Sequence, residues 1–519
     1  MSTSPSTAVS IHSIPGLLTA RAAGSAEHTA FLAPGRGELS YAALLQQSDH
    51  TVATLNAHGV KRNDRVAVVL PNGPEMAVAF VAVASGATCA PLNPAYKADE
   101  LKFYLADLDA KALIVDPALD SPAAEVAGEL NIPVLDIETG DNYPAGTFDL
   151  KLRSDDEPPP PADPVFAEPG DVALVLHTSG TTSRPKIVPL SHTNVCASAF
   201  NIARTLALAP EDRCLNIMPL FHIHGLMGTV ISSLAAGAQL VATPGFDAMK
   251  FFGWLDEFKP SWYSAVPTMH QVILARAGRN NEIVERAKLR LIRSSSAALP
   301  PQVMKTLEET FHAPVIESYG MTEASHQMAS NPLPPAARKP GSVGLPAGPE
   351  IAVMNNAGDL QAAGETAEVV IRGANVTSGY DKNPDADKTA YTNGWFRTGD
   401  QGYLDPDGYL FITGRLKEII NRGGEKISPR EVDEVLLDHP AVRQAVTFAM
   451  PHRTLGEDVA AAIVLAENET ADAKQIRDFA AQRLAQFKVP SRVVFLDEVP
   501  KGPTGKLQRI GLAKKLGLT

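Results

Sequence analysis

Cysteine is scarce: Cys89, Cys196 and Cys214 are the three in 519 residues. They show no metal-ligand spacing and are too few for a disulfide framework, so a reducing compartment is expected. Apolar runs of membrane-spanning length are missing too, which argues against a helical span. The opening "MSTSPSTAVSIHSIPGLL" has no basic start followed by a long apolar stretch, and the closing "KKLGLT" is not a peroxisomal tripeptide. Neither a signal peptide nor an organelle address is read, and cytoplasm is the expectation. Positive charge is in deficit, 46 Lys plus Arg against 58 Asp plus Glu, for a net charge of −12. That balance argues against nucleic acid or an anionic membrane as partner, while an anionic small molecule needs only local positive charge. No internal repeat is found.

What remains is an ordinary globular composition, 45% hydrophobic and 20% charged, in a chain too long for one core. "DRVAVVLPNGPEMAVAFVAVASGATCAPLNP" (64–94) has the strand, turn, apolar helix, turn rhythm of an α/β layer. "KALIVDP" (111–117), "IPVLDIE" (132–138) and "DVALVLH" (171–177) are further buried strands, and "SDDEPPPPADP" (154–164) is a surface loop or linker. After residue 330 short strands joined by Asp/Gly turns, such as "AEVVIRG" and "GYLDPDGYLFITG", predict a β-rich lobe. A fresh α/β pattern begins near Glu418, long enough for a small domain.

Strand 171–177 delivers the chain into "HTSGTTSRPKIVPLSH" (177–192). Thr178, Ser179, Gly180, Thr181 and Thr182 offer hydroxyls and backbone N–H groups that can converge on a polyphosphate, and Lys186 adds a charge. The Walker A arrangement is absent, because Pro185 and "IVPL" force extended chain before Ser191 caps a helix. A Ser/Thr-rich surface turn would look much the same, so the motif gains meaning from its company. "ESYGMTE" (317–323) ends in Glu323, a carboxylate suited to Mg²⁺ beside phosphate oxygens, with Thr322 as a hydroxyl donor. "NGWFRTGD" (393–400) presents Asp400, able to accept both hydroxyls of a ribose, and "GRLKEIINRGGEKISP" (414–429) brings Arg415. "PKGPTGKLQR" (500–509) carries Lys506 on a Gly-bearing turn.

In this order and spacing the five motifs resemble the adenylate-forming superfamily of acyl-CoA synthetases, firefly-type luciferases and non-ribosomal adenylation domains. The resemblance spans nearly the whole chain. It implies an α/β fold: a large N-terminal domain (1–415) of layered α/β subdomains plus the β-rich lobe, and a small mobile α+β lid (416–519). It further implies that Thr178 to Thr182 and Lys186 cradle the β- and γ-phosphates of ATP. Tyr319 would stack on adenine with Ser296, Ala297 and Ala298 along its edge. Thr322 would contact the α-phosphate, Glu323 the Mg²⁺, and Asp400 and Arg415 the ribose. Lys506 would bridge the substrate carboxylate and ATP. The lid would turn about Lys417, bringing Gly423 and Gly424 to the CoA channel. Ser183 and Ile187 stand where the family often has glycine, which predicts a stiffer loop.

The family builds its acyl pocket from the stretches that here read "HIHGLM", "SSSAAL" and "YGMTEASHQM". His222, His224, Ser296 and His326 are polar where a fatty acyl pocket is aliphatic, and suit a second carboxylate on a small acid, with His326 expected on a helix that follows the Tyr-Gly-Met-Thr-Glu turn. A luciferase-type oxidation does not fit so polar a pocket. "LFHIHGL", "WYSAVPTMHQ" and "SYGMTEASHQMASNPLP" resemble the oxalate–CoA ligase branch, which implies oxalate, ATP and CoA as substrates and oxalyl-CoA, AMP and pyrophosphate as products. Malonate or another short or aryl acid, and a carrier-protein-charging adenylation enzyme, are the alternatives. A catalytically silent relative is disfavoured by the retained Lys506, Glu323 and Asp400.

Overall fold

The computed structural model describes residues 11–140, 143–154, 159–178, 185–500 and 508–518. By internal contacts it divides into two compact units. The first comprises residues 1–340, 344–350 and 372–388, and the second residues 341–343, 351–371 and 389–519. The β-rich lobe thus groups with the C-terminal segment, and the joint at 415/416 runs inside the second unit.

Two sheets carry the first unit. One has seven strands, ordered Asp149–Leu152, Val134–Glu138, Ala112–Val115, Arg65–Val69, Thr88–Pro91, Val172–His177 and Ile187–Ser191. Its centre is parallel and its two outer pairs are antiparallel. The expected α/β rhythm is present: helix Pro74–Ala84 starts on its proline and is buried over nearly its whole length. A helix apolar all round can sit only between other layers, which is where a crossover between parallel strands lies. Strand Ile187–Ser191 ends at the helix cap foreseen for Ser191, whose hydroxyl accepts from the Asn194 amide while the Asn194 side chain reaches back.

The other sheet has nine strands. Leu345–Pro346, His326–Ser330 and Val315–Met321 lead into Leu291–Ser294, Trp262–Ala265, Arg213–Asn216, Gln239–Ala242, Thr29–Leu32 and Leu39–Ser40. His326, expected on a helix after the Tyr-Gly-Met-Thr-Glu turn, instead opens a strand antiparallel to the one carrying Tyr319. In the second unit, one five-stranded sheet contains Trp395–Leu404 paired with Leu410–Arg415, and another contains Val442–His452 and Gly456–Leu465. No helix among the described residues is long and apolar enough to cross a membrane.

The strand that feeds the Thr/Ser-rich loop is anchored at its start by Asp171. Burial alone would raise its carboxyl pKa, but hydrogen bonds from Arg62, the Glu168 amide and Asn63 outweigh it and hold the group at about 2. A folded-state pKa depressed below the ordinary 3.8 stabilises the fold above that value, and the contribution fades as pH falls towards 2. Asp171→Asn is therefore expected to lower Tm at neutral pH. The gap from wild type should narrow as thermal scans move from about pH 5 down through the titration range.

Candidate active site

Thr178 and Lys186 form the neck of the Thr/Ser-rich loop. The Thr178 amide donates to the Lys186 carbonyl at 2.9 Å, and the Lys186 amide to Thr178 Oγ1 at 3.4 Å. Ser179, Gly180, Thr181 and Thr182 lie outside the described residues. At the neck, Lys186 Nζ sits 4.3 Å from the centroid of the Tyr380 ring, a cation–π contact. The Tyr380 hydroxyl donates to Glu323 Oε1 at 2.9 Å. The candidate phosphate-binding lysine and the candidate metal ligand, 137 positions apart in the chain, are thus joined through one tyrosine that sequence reasoning missed.

Glu323 is buried in a single 3-10 turn, Thr322–Ala324, between the strands bearing Tyr319 and His326. The turn reverses through left-handed Ser325 (φ 49°) and His326 (φ 88°). Asn375 Nδ2 holds it, donating to the Ala324 carbonyl at 2.8 Å and the Gln327 carbonyl at 3.0 Å. The paired strands slip register beside Gly320, where an added Cβ would stand 1.6 Å from the His326 carbonyl oxygen. Only glycine allows this approach.

Beneath the turn lies a buried polar cluster. His224 Nδ1 is 2.9 Å from Ser296 Oγ and its Nε2 2.7 Å from Ser264 Oγ. Its ring stacks on His326 with centroids 5.0 Å apart. Arg293 Nη1 approaches His326 Nε2 at 3.0 Å, and Nη2 donates to Gln327 Oε1 at 3.3 Å. Ser296 is held at φ 73°, uncommon for a residue with a side chain, as residues fixed by their surroundings at functional sites often are. Three of the four expected pocket residues therefore come together. His222 is placed differently: its Nδ1 accepts from the His224 amide at 3.3 Å and caps the following turn. That turn runs into a π-helix, Leu226–Ile231, whose Gly228 faces the cluster. Arg293, Ser264 and Gln327 were not read from the sequence. The available signal was a charged residue inside the buried strand "LIRS".

The second unit carries its own group. Asp400 and Arg415 are cross-strand partners, with Arg415 Nε donating to Asp400 Oδ1 at 2.8 Å. Their fifteen-residue spacing is that of a hairpin. Lys417 lies in the turn just beyond, where the Glu418 amide donates to the Arg415 carbonyl at 2.8 Å. Gly423 (φ 62°) and Gly424 (φ 102°) make the two-residue turn between Ile420–Arg422 and Glu425–Ile427. Hairpin geometry by itself accounts for glycine at both. Lys506 lies outside the described residues, but Arg509, three positions on, is firmly held. It pairs with Asp433 at 2.5 Å and Glu418 at 3.4 Å, and donates to the Thr447 carbonyl at 2.8 Å.

The AMP-binding enzyme family matches residues 18–381, and the AMP-binding enzyme C-terminal domain matches residues 431–506. The chain belongs to the AMP-binding enzyme family. It is 45% identical over 502 residues to an oxalate–CoA ligase of Arabidopsis thaliana, covering 96% of this chain and 97% of that one. It is 42% identical to an oxalate–CoA ligase of Saccharomyces cerevisiae, covering 88% and 87%. The crystal structure of ATP-bound MatB from Rhodopseudomonas palustris superposes with a TM-score of 0.86 at 26% identity, covering 98% of each chain. Within the family the chain is an AMP-forming acyl-CoA synthetase, an acid–thiol ligase acting on a carboxylic acid, ATP and CoA.

Gly320→Ala drives a methyl group into backbone that has nowhere to go. A loss of about 3 kcal/mol or more is expected, read as a lowered denaturation midpoint together with lost activity.

Proposed function

We propose that the enzyme joins oxalate to coenzyme A, with ATP giving AMP and pyrophosphate. The observation that carries this reading is the cluster of buried His224 and His326 with half-buried Ser296, polar where a pocket for an alkyl chain would be apolar. The names of the Arabidopsis and yeast relatives support it.

A carboxylate cannot be displaced directly, since its leaving group would be oxide. One carboxylate oxygen attacks the α-phosphorus, an O–P bond forms, and pyrophosphate leaves. The CoA thiolate then attacks the activated carbonyl, a C–S bond forms, and AMP leaves. In this reading Thr178 to Thr182 and Lys186 hold the outer phosphates and Thr322 the α-phosphate. Tyr319 and Ser296 to Ala298 receive the adenine, and Asp400 with Arg415 the ribose. Lys506 neutralises charge as carboxylate meets triphosphate.

Glu323 suits Mg²⁺. It is a single buried carboxylate, and no group of three or more His, Cys, Asp or Glu is assembled to hold a metal among the described residues. An ion there would take most of its ligands from phosphate oxygens and water, the usual habit of Mg²⁺. Residues 416–519 act as a lid turning about Lys417, with Gly423 and Gly424 beside the thiol channel in the second half-reaction. A cytoplasmic location fits three cysteines that are all unpaired and buried.

Pyrophosphate release screened over oxalate, malonate, acetate, aryl and long-chain acids tests the substrate. Oxalate should give the highest kcat/KM, and a preference for long-chain acids would refute the assignment. His326→Ala should cost oxalate roughly ten- to a hundredfold in kcat/KM, the worth of a charged hydrogen bond, and leave acetate nearly unchanged.

Lys506→Ala separates the half-reactions. Acyl-adenylate formation should be abolished, while thioester formation from supplied acyl-AMP persists. Equal loss of both would remove the role given to Lys506.

A further inference from the structure

Arg293 lies inside the nine-stranded sheet with 0% of its surface exposed. Burying a guanidinium is expensive unless an opposite charge comes with it. Yet among the described residues no carboxylate forms an ion pair with Arg293, and its Nε has no hydrogen-bond partner. Burial pushes its pKa down to about 10, which leaves the group cationic at neutral pH. Arg290, three positions earlier, shows the ordinary solution, pairing with Asp212 at 2.8 Å.

The contacts Arg293 does make point into the acyl cluster. A guanidinium can only donate, so the 3.0 Å contact from Nη1 makes His326 Nε2 the acceptor and puts the imidazole proton on Nδ1. Gln327, which accepts from Nη2, is itself oriented by donating to Thr205 Oγ1 at 3.2 Å and the Ala347 carbonyl at 3.1 Å. Gly228 leaves the room: a Cβ there would stand 2.9 Å from both Arg293 Nη1 and His326 Nε2.

We propose that Arg293 is a positioning residue that selects doubly charged acids: it holds His326 in its Nδ1-protonated tautomer and supplies the buried positive charge that the substrate's distal carboxylate balances. The inference rests on the oxalate reading above. A monocarboxylic acid brings no second charge and leaves the guanidinium uncompensated, so the same residue that favours a dianion disfavours simpler acids.

Arg293→Gln keeps a donor for His326 and removes the charge, whereas Arg293→Lys keeps the charge and loses the planar fork. In pyrophosphate-release assays, Arg293→Gln should raise the KM for oxalate about ten- to a hundredfold with kcat changed much less. Activity with acetate and ATP affinity should hold, and Arg293→Lys should recover part of the loss. A merely structural role predicts parallel losses on oxalate and acetate with a lowered Tm. That result, or an unchanged KM for oxalate, overturns the proposal. If Arg293→Gln does not fold, Gly228→Ala carries the test, because the atoms its methyl group meets nearest are side-chain atoms of Arg293, His326 and His224 rather than backbone. It should produce the same oxalate-selective rise in KM, and no rise overturns the proposal. A wild-type enzyme inactive on oxalate refutes the substrate reading, and the proposal with it, before any variant is compared.

Discussion

The chain must pass within touching distance of itself at Gly320, where the strand bearing Tyr319 runs against the start of the strand bearing His326. Without that approach the turn between them could not be so short. A longer connection would separate the adenine-stacking candidate, the candidate metal ligand and the acyl-cluster histidine, which now lie within eight consecutive residues. The left-handed Ser325 and His326 are what the reversal requires, and Asn375 satisfies the two carbonyls that the sharp turn leaves facing inward. One missing methyl group therefore sets the spacing between Tyr319, Glu323 and His326.

Local chemistry explains which features were legible beforehand. The two strands and the helix cap that flank the Thr/Ser-rich segment could be read because proline, β-branched residues and a capping serine each act on their immediate neighbours. The Asp400–Arg415 pair was expected at one site, but that its members are register partners was not, since strand register is set by the whole sheet. His326 was placed on a helix because residues after a Thr-Glu turn can start one. The pairing of Met321 with His326 decided otherwise, a tertiary preference outweighing a local one. Arg293 escaped notice because its neighbours in the sequence are apolar, and only the fold shows that no acid among the described residues pairs with it.

The two arginines of the "RLIRSSS" segment illustrate how a protein distinguishes support from function. Arg290 is half-buried, its charge balanced by Asp212, and its Nη1 donates to the Leu206 carbonyl at 3.0 Å. All of that ties the start of strand Leu291–Ser294 to the start of strand Arg213–Asn216. Arg293 faces a histidine and an amide, partners that orient a guanidinium without neutralising it. Such a charge lowers the stability of the empty protein and is retained only where something else benefits.

The same logic governs the pair Lys186 and Glu323, by a different device. Lys186 and Glu323 carry opposite charges, and had they met directly each would have satisfied the other. Tyr380 stands between them, its ring face under the ammonium and its hydroxyl on the carboxylate. A ring face attracts a cation without removing its charge, and a phenol hydrogen bond orients a carboxylate without neutralising it. The tyrosine thus orients each charge without cancelling it. A direct Lys–Glu bridge would have given a more stable neck and a weaker site. The tyrosine resolves that conflict by positioning both groups while cancelling neither.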